Sequence, residues 1–543
     1  MRNIIVSINV SLRETEDSVT ESDGVERMDD GSFRVILDHQ AEFNIDRLES
    51  ALLQTSYPAL RKALSDHLEQ ASKKKAWERI SGAGSGRVEE HPSLYQVDGE
   101  VGRWVFKTYD VKSEDHETRF EGIELFPPRH GRQWYQTCGF KEIALLCGAA
   151  QRSYRQTTHV FNRSRHQESG GTPLNTLRDG TQTEGLKVID FLTRKSQSVL
   201  KEHGFDPQGV PATDCAALKQ IKEPAYFDEK ALQPALTAVG EAMGKKGFSP
   251  VDIEQARDSL GAENTYEQAR HCVYIHIDDV GVKEQKPHRN KKGAVQELVV
   301  DQPVVDQKDR ADRKRPMVQN TVAHLKNANK SFTLTGRSVA EILLFVLGFL
   351  LNNALLGLNL KVCIDGQRSL QDALLRFFSW HPHLTLLLDW FHVVKKFKED
   401  LSLACRGREI RNRHLKPLLT LLWFGLIDQA QAYLAAVPAT DLKDDKAIAR
   451  LTAYLERNRQ WIPCYAMRRQ LGLPNSSNPV ERCNNLVTAK RQKHHGMSWS
   501  EKGSYALTSL AAVTLNGATR QWIENRTIPF TWVVKVVKAV KAA

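Results

Sequence analysis

The sequence predicts an α/β fold in which a mixed sheet is covered by helices and interrupted by an all-α insertion. Residues 271–392 alternate strand-like and helix-like stretches. Residues 393–475 carry apolar side chains at intervals of three and four, as in "KPLLTLLWFGLIDQAQAYLAAV". Residues 139–167 hold two helical patterns joined by a short turn, which indicates a helix-turn-helix.

The N-terminal part of the chain changes in character near residue 97. Residues 1–97 combine charged helical patterns with the linker-like "SGAGSGRVEEHPS" and indicate no function. Residues 98–270 are predicted to be a DNA-binding region that contains the helix-turn-helix. Its second helix is expected to begin near Ser153 as N-cap. The side chains that we predict to contact DNA from this helix are Arg152, Arg155, Gln156 and Arg163. A plain helical hairpin with a solvated basic face is the alternative.

The predicted sheet begins with "HCVYIHIDD", a β-branched and aromatic run that ends in two acids. The stretches that follow are two strands within 318–336, an apolar helix at 338–356, a strand at 359–365, a helix in "SLQDALLRFFSW" and a strand at 384–389. The charged segment 291–316 is predicted to be a mobile loop. Residues 476–543 form the C-terminal helical part of the predicted core. Within it, Ser498 and Glu501 have capping-box spacing, so we expect a helix to start just after Ser498.

Composition favours an acidic partner. The 76 Lys and Arg residues against 65 Asp and Glu leave a formal charge of +11, which suits nucleic acid. The eight cysteines are scattered without a C-x-x-C pair, which argues against a zinc ribbon or a disulfide scaffold. The sequence shows neither a secretory signal nor an apolar stretch of spanning length, so we expect a cytoplasmic protein without a membrane partner.

Three acids lie where predicted buried elements end. Asp278 follows "VYIHI", Asp365 follows "KVCI", and Glu481 lies in "NPVER". A carboxylate at such a place is costly unless a cation or a hydrogen bond compensates it. Hard oxygen ligands suit Mg²⁺ or Mn²⁺, and two such ions can promote in-line attack on a phosphodiester. Ordinary strand-end and surface acids are the alternative.

The sequence resembles the DDE-type transposases of bacterial insertion sequences related to the Mutator superfamily, which have an RNase H-like catalytic core. The matching text is "IHIDDVGVKEQK", "CIDGQRSL", "LLLDWFHVVKK", "NPVERCNN" and "RQKHHGMSWSEKGSYAL", in the same order over residues 135–525. The resemblance implies that Asp278, Asp365 and Glu481 are catalytic ligands of Mg²⁺ or Mn²⁺, with two ions. Relatives often have Asp-Gly where this chain has Asp278-Asp279, so Asp279 is also a candidate for the first ligand.

The segment "DWFH" matches the C/D-x-x-H motif of the Mutator-related enzymes. The resemblance implies that Asp389 and His392 lie beside the catalytic centre. The alternative is that Asp389 caps the following helix while His392 bonds a backbone carbonyl.

A basic cluster follows Glu481 along the same predicted helix. We predict that Lys490, Arg491 and Lys493 attract DNA phosphates and that Trp499 stacks on a displaced base. A solvated helix end and core packing of the tryptophan are the alternatives.

The resemblance implies a bacterial transposase, nucleoid-associated when bound to DNA, that cleaves and joins strands. Its partners would be the terminal inverted repeats of the element and the target DNA. A homodimer or larger homo-oligomer is expected because two DNA ends must be held together. The alternatives are an inactive DNA-binding protein or regulator derived from a transposase, and an RNase H-like structure-selective nuclease.

Overall fold

The strand and helix patterns after residue 271 form a mixed sheet in a computed structural model of the chain. The described residues are 25–27, 33–35, 45–83, 86–114, 117–128, 135–150, 153–167, 171–262, 264–285, 316–494 and 497–534. Arg152 and all but the last residue of the predicted loop 291–316 lie outside them. None of the helices in these ranges has the length and hydrophobicity that a membrane crossing requires.

The chain divides into two compact units. The N-terminal unit is Met1–Ile143 with Thr158–Pro173, and the C-terminal unit is Ala144–Thr157 with Leu174–Ala543. Both are mixtures of helices and strands, so the α/β class of the prediction is confirmed.

The N-terminal unit packs one long helix on small sheets. Helix α1 spans Ile45–Ala83, and its Ala76 is buried with Val111 and Phe120. The described strands are β1 (Val25–Arg27), β2 (Phe33–Val35), β3 (Arg87–Glu90), β4 (Tyr95–Gly99), β5 (Gly102–Phe106), β6 (Tyr109–Lys112), β7 (Thr118–Phe120) and β8 (Tyr135–Gln136). Strand β4 contains residues 97 and 98, between which the sequence predicts a domain boundary. It pairs with both β5 and β8.

The two helices of the predicted helix-turn-helix are present as α2 (Cys138–Ala150) and α3 (Tyr154–Ser164). Ser153 Oγ accepts a hydrogen bond from the backbone N–H of Gln156 at 3.1 Å, so the predicted N-cap is confirmed. The boundary between the two units falls within both helices.

The central sheet lies in the C-terminal unit, and its described strands are ordered β13-β12-β9-β10-β11-β14. Their bounds are β9 (Cys272–Lys283), β10 (Met317–Asn327), β11 (Lys330–Gly336), β12 (Asn359–Ile364), β13 (Leu384–Leu388) and β14 (Val533–Val534). Strand β10 pairs antiparallel with both β9 and β11, whereas β12 pairs in parallel with both β9 and β13. The strands predicted from residues 271 to 389 are therefore confirmed within a few positions.

One face of this sheet is covered by apolar helices. Helices α4 (Leu174–Glu202) and α7 (Val339–Asn352) pack in the same core as β9 and β12. Ser338 Oγ caps α7 by accepting from the backbone N–H of Glu341 at 3.2 Å. Each fully buried Leu or Phe in such a core contributes about 1.5–3 kcal/mol. The core side chains of β9 and β12 are Val273, Ile275, Ile277, Leu360, Val362 and Ile364.

The region between β13 and Glu481 is helical, as predicted for the insertion. Helix α8 (Arg368–Phe377) joins β12 to β13, and α5 (Glu229–Gly244) and α6 (Pro250–Ala262) precede the sheet. The described helices after β13 are α9 (Trp390–Ala404), α10 (Arg408–Trp423), α11 (Ile427–Ala435), α12 (Asp445–Asn458) and α13 (Tyr465–Gln470).

The C-terminal helices differ in one detail from the prediction. They are α14 (Asn478–Asn484), a π-helical turn (Asn485–Ala489), α15 (Lys490–Gln492), α16 (Glu501–Leu515) and α17 (Thr519–Asn525). The N-cap of α16 is Ser500, whose Oγ accepts from the backbone N–H of Gly503 at 3.2 Å, so the prediction of Ser498 is wrong by two residues. The reason is that Trp499 N–H bonds the carbonyl of Lys283 at 2.9 Å, which keeps this segment extended beside the end of β9.

Candidate active site

Asp278, Asp365 and Asp389 continue the same face of three adjacent strands. Side chains alternate between the faces of a strand, and Ile277, Ile364 and Leu388 lie in the same hydrophobic core. Each of these apolar residues is followed directly by one of the three acids, which therefore faces the opposite side. The backbone register puts Cys363 opposite His276 and Ile364 opposite Leu388, so the acids are also level along the strands.

Geometry distinguishes Asp278 from Asp279. Strand β9 pairs with β10 without interruption from Tyr274 to Lys283, so no bulge changes the facing of the two acids. Asp279 is exposed and accepts a hydrogen bond from Thr321 Oγ1 at 2.6 Å. Asp278 is partly buried and accepts one from Asn484 Nδ2 at 2.6 Å. The structure therefore brings Asp278, and not Asp279, toward the helix that carries Glu481.

The carboxyl group of Asp278 has an unusual pKa. Burial and, to a smaller extent, the negative charge of Asp365 raise this pKa to about 6, against the effect of a hydrogen bond from the backbone N–H of Asp279. A partly buried carboxylate beside a second negative charge is in the electrostatic situation that a bound cation relieves.

Asp389 connects two helices rather than pointing to open solvent. It is the N-cap of α9, because its Oδ1 accepts from the backbone N–H of Phe391 at 2.6 Å. Its Oδ2 accepts from the backbone N–H of Ser477 at 2.6 Å and from the Ser477 hydroxyl. Burial would raise the pKa of Asp389, but His392 and Ser477 outweigh this effect and hold that pKa below its ordinary value. The helix-cap alternative for Asp389 is therefore what the structure contains.

His392 lies between two acids. Its Nδ1 is 3.3 Å from Asp389 Oδ2, and its Nε2 is 3.8 Å from Glu481 Oε1. The interaction with Asp389 raises the pKa of His392 despite partial burial, with further contributions from Asp365 and Glu481. Both imidazole nitrogens therefore face carboxylates rather than the backbone carbonyl of the alternative interpretation.

Glu481 is held by a short and well-anchored helix. Helix α14 starts after Ser477, with Pro479 in its first turn, and Glu481 keeps 36% of its side chain exposed. One turn later, Asn484 contacts Asp278, so a single helix carries both Glu481 and a direct contact to the first acid. The π-helical turn that follows is a feature found frequently at functional sites.

Sequence reasoning missed Tyr454, which comes from α12 of the insertion. A Cβ added at Gly366 would lie 2.9 Å from the Tyr454 hydroxyl oxygen, so this group sits directly above the turn after Asp365. Among the described residues the hydroxyl has no hydrogen-bond partner. Burial, and then the charge of Asp365, raise the pKa of Tyr454 well above its ordinary value. Its position 89 residues beyond Asp365 left no local signal in the sequence.

His276 is a second residue that sequence reasoning missed. It lies on the same face of β9 as Asp278, is fully buried, and neither ring nitrogen has a hydrogen-bond partner in the described part of the chain. Burial lowers its pKa to about 3, so the imidazole is neutral beneath the acids at physiological pH. Its alternation with Asp278 in "HIDD" is the signal that could have placed it.

The basic cluster after Glu481 separates into exposed and buried members. Lys490 and Lys493 are exposed, as the prediction of phosphate contacts requires. Arg491 is buried, with its guanidinium 5.1 Å from the ring centre of Tyr154 and 5.0 Å from that of Trp499. Trp499 is also buried, and its indole N–H donates to the carbonyl of Gln492 at 3.1 Å. The prediction that Arg491 and Trp499 contact DNA is therefore wrong, because both side chains belong to the core.

The predicted DNA contacts on α3 have a simpler outcome. Arg155, Gln156 and Arg163 are exposed. Arg165, at the end of the same segment, is instead buried between the rings of Phe140 and Phe161, at 4.8 and 4.7 Å.

The acids suit a divalent cation in their chemistry. Asp278, Asp365 and Glu481 offer the hard oxygen donors that Mg²⁺ and Mn²⁺ prefer, and the pKa of Asp278 is raised by burial and then by the negative charge of Asp365, both of which a cation would offset. Within the described ranges, however, no three His, Cys, Asp or Glu side chains are arranged to hold a metal ion. Binding would therefore require side chains to move. Asp278 would have to exchange its hydrogen bond from Asn484 for the cation.

Comparison with known proteins adds no identification. The sequence matches no protein-family model, and it has no significant match among curated proteins. The geometry of the acidic site is therefore the basis for a functional assignment.

Proposed function

We propose that this protein is a DDE-type DNA transposase that cleaves and joins DNA strands with divalent metal ions. The observation that carries the proposal is the common facing of Asp278, within β9, and Asp365, directly after the adjacent β12, with Glu481 linked to the site through His392 and Asn484. If these were ordinary surface acids, we would not expect Asp278 and Asp365 to share one face and to lie near Glu481, which is 116 residues beyond Asp365 in the chain.

The order of elements supports an RNase H-like core within this proposal. The first acid lies on the first strand of the core, β9, and the second opens Asp365-Gly366 directly after β12. Glu481 lies on α14, after the helices α9 to α13 of the insertion. This is the sequence of elements that the resemblance implies for the family.

In the proposed reaction, bound Mg²⁺ or Mn²⁺ would activate the attacking oxygen and stabilise the leaving oxygen of a phosphodiester. The carboxylates of Asp278, Asp365 and Glu481 would hold the two ions. His392 orients Glu481, and Asp389 fixes the helices that carry them. Lys490 and Lys493 attract the phosphate backbone.

We further propose that α3 recognises the ends of the element as part of a helix-turn-helix, through Arg155, Gln156 and Arg163. The partners would be the terminal inverted repeats and the target DNA, bound by a homodimer or larger homo-oligomer.

A strand-joining assay tests this function. Labelled duplexes taken from the DNA that flanks the gene are incubated with the protein and target DNA, with Mg²⁺ or with a chelator. We expect Mg²⁺-dependent joining that disappears in Asp365→Ala and Glu481→Ala while DNA binding persists. Asp279→Ala is the matched control, since it removes the neighbouring acid that faces the other way, and it should retain joining.

Two results would contradict the proposal. Binding by the parent protein without any cleavage would identify an inactive DNA-binding protein. Cleavage of branched DNA without joining would identify a structure-selective nuclease.

A further inference from the structure

Phe391 is a large aromatic side chain exposed at the edge of the acidic site. It is 49% exposed and lies between Asp389 and His392 in sequence, with its ring 5.7 Å from that of His392 and perpendicular to it. Helix α9 packs on the core through its opposite side, where Val393 and Phe397 are completely buried, so Phe391 does not contribute to that packing. Single exposed apolar residues are common on proteins, so the surroundings of this one decide its meaning.

On the side of Phe391 away from the acids, α9 carries basic side chains. Spacings of four, three and four residues put Phe391, Lys395, Lys398 and Ser402 on one side of α9, and all four are exposed. We call these four residues the basic-aromatic face. Arg411 adds positive charge at its far end, because its guanidinium donates to Ser402 Oγ at 3.1 Å.

The two lysines of this face are available to a ligand. Lys396, which points elsewhere, is paired with Asp400 at 2.9 Å, whereas Lys395 and Lys398 line an open cavity together with Glu399, Ser402 and Leu403. The face is about 16 Å long at 1.5 Å of rise per residue, which is enough for a few nucleotides.

We propose that the basic-aromatic face binds an unpaired DNA strand next to the cleavage site, with Phe391 stacked on a base and Lys395 and Lys398 on phosphates. This inference rests on the proposed function and names the form of DNA that the site takes. A ring can stack on a base only where the base is unpaired at a strand end or displaced, because a continuous duplex covers the base faces and leaves the edges in its grooves. An aromatic followed by regularly spaced cations is the combination that single-strand binding uses.

Binding measurements without catalysis test the inference. The Asp365→Ala protein is titrated in Ca²⁺ with a blunt duplex and with the same duplex carrying a single-stranded tail, whose first unpaired base is a fluorescent analogue. We expect preferred binding of the tailed DNA and quenching of the analogue. Phe391→Ala should reduce affinity for the tailed DNA by about 10-fold and remove the quenching, and Phe391→Trp should retain both.

Matched variants distinguish stacking from general effects. Val251→Ala removes an exposed apolar side chain of α6, 62% exposed and outside this cavity, and should leave the tail preference unchanged. Replacing Lys395 and Lys398 by alanine should lower the salt dependence of tailed-DNA binding by about 0.7 per lysine in log–log slope. Lys230→Ala, an exposed lysine on α5, is the control for charge.

The inference is overturned if Phe391→Ala binds tailed DNA like its parent, or loses blunt and tailed DNA equally. Failure of the proposed function is seen separately, in the Mg²⁺ joining assay with intact Asp365. A protein that joins strands but shows no role for Phe391 would contradict only the inference. A protein that selects the tail through Phe391 but never joins would contradict only the transposase proposal.

Discussion

Ser477 and Asp389, 88 residues apart, are joined by two hydrogen bonds to one carboxylate oxygen. The other oxygen of Asp389 caps α9 through Phe391 N–H. A single carboxylate thus fixes the starts of the two helices that carry His392 and Glu481. These hydrogen bonds explain why Asp389 is only 1% exposed and why its pKa is lowered. The side chain of Glu481, in contrast, stays accessible.

The first prediction separates Asp389 from Asp365. Asp389→Ala leaves the buried N–H and hydroxyl donors of Ser477 without an acceptor, so we expect a loss of about 3 kcal/mol in the free energy of unfolding and a partial loss of strand joining. Asp365→Ala should abolish joining with little effect on stability. Urea unfolding and the joining assay measure the two quantities. Complete loss of joining in Asp389→Ala at parental stability would instead make Asp389 a direct ligand.

Local patterns in the sequence predicted most of the sheet. Alternation and β-branched runs placed the strands from β9 to β13 and the acids that follow β12 and β13, whereas β9 continues past the predicted end at Asp278 to Lys283. The sequence could not distinguish Asp278 from Asp279 as the first ligand, because a bulge in β9 would exchange the faces of the two side chains. The uninterrupted pairing of β9 with β10 shows that there is no such bulge.

Tertiary packing determined what the local patterns could not. Arg491 and Trp499 lie in a basic stretch of sequence of the kind that is usually exposed to solvent. In the structure, Tyr154 from α3 and Trp499 instead pack against the buried guanidinium of Arg491. Tyr454 reads as one apolar position of an amphipathic helix, and only the return of the insertion to the sheet puts it over Gly366.

The second prediction concerns the pH dependence of stability in metal-free protein. The pKa of Asp278, about 6 in the fold against an ordinary 3.8, means that the folded state binds more protons between these pH values. This contribution to stability is present below the ordinary value and is lost as pH rises through about 6. Asp278→Asn should therefore be more stable than the parent at neutral pH, on the order of 1–2 kcal/mol, with the difference vanishing at low pH.

Chelator and metal distinguish the cause of that effect. Urea unfolding in a chelator across pH should show the difference for Asp278→Asn and only a small one for Asp279→Asn, whose side chain is exposed. Added Mg²⁺ should stabilise the parent and not Asp278→Asn. Equal Mg²⁺ stabilisation of both proteins would remove Asp278 from the proposed ligands.

The third prediction couples Gly366 to Tyr454. Gly366 has φ +88°, and an added Cβ would meet the Tyr454 hydroxyl, so Gly366→Ala is strained twice. Tyr454→Phe removes a buried hydroxyl without a partner among the described residues and should raise stability by about 1 kcal/mol. The double variant should recover part of the loss caused by Gly366→Ala. Strict additivity in unfolding measurements would show that the two residues do not meet.

The fourth prediction distinguishes charge that reaches DNA from charge that supports the fold. Lys490 and Lys493 are exposed, so replacing both by alanine should weaken duplex binding and lower its log–log salt slope by about 2, with no change in stability. Arg491→Ala should instead lower stability, because the guanidinium is buried against Tyr154 and Trp499 and donates to the carbonyl of Gly148. Its correctly folded fraction should keep the parental salt slope. Fluorescence anisotropy over a salt series and thermal unfolding separate the two effects, and a reduced slope in folded Arg491→Ala would return that residue to the DNA-binding surface.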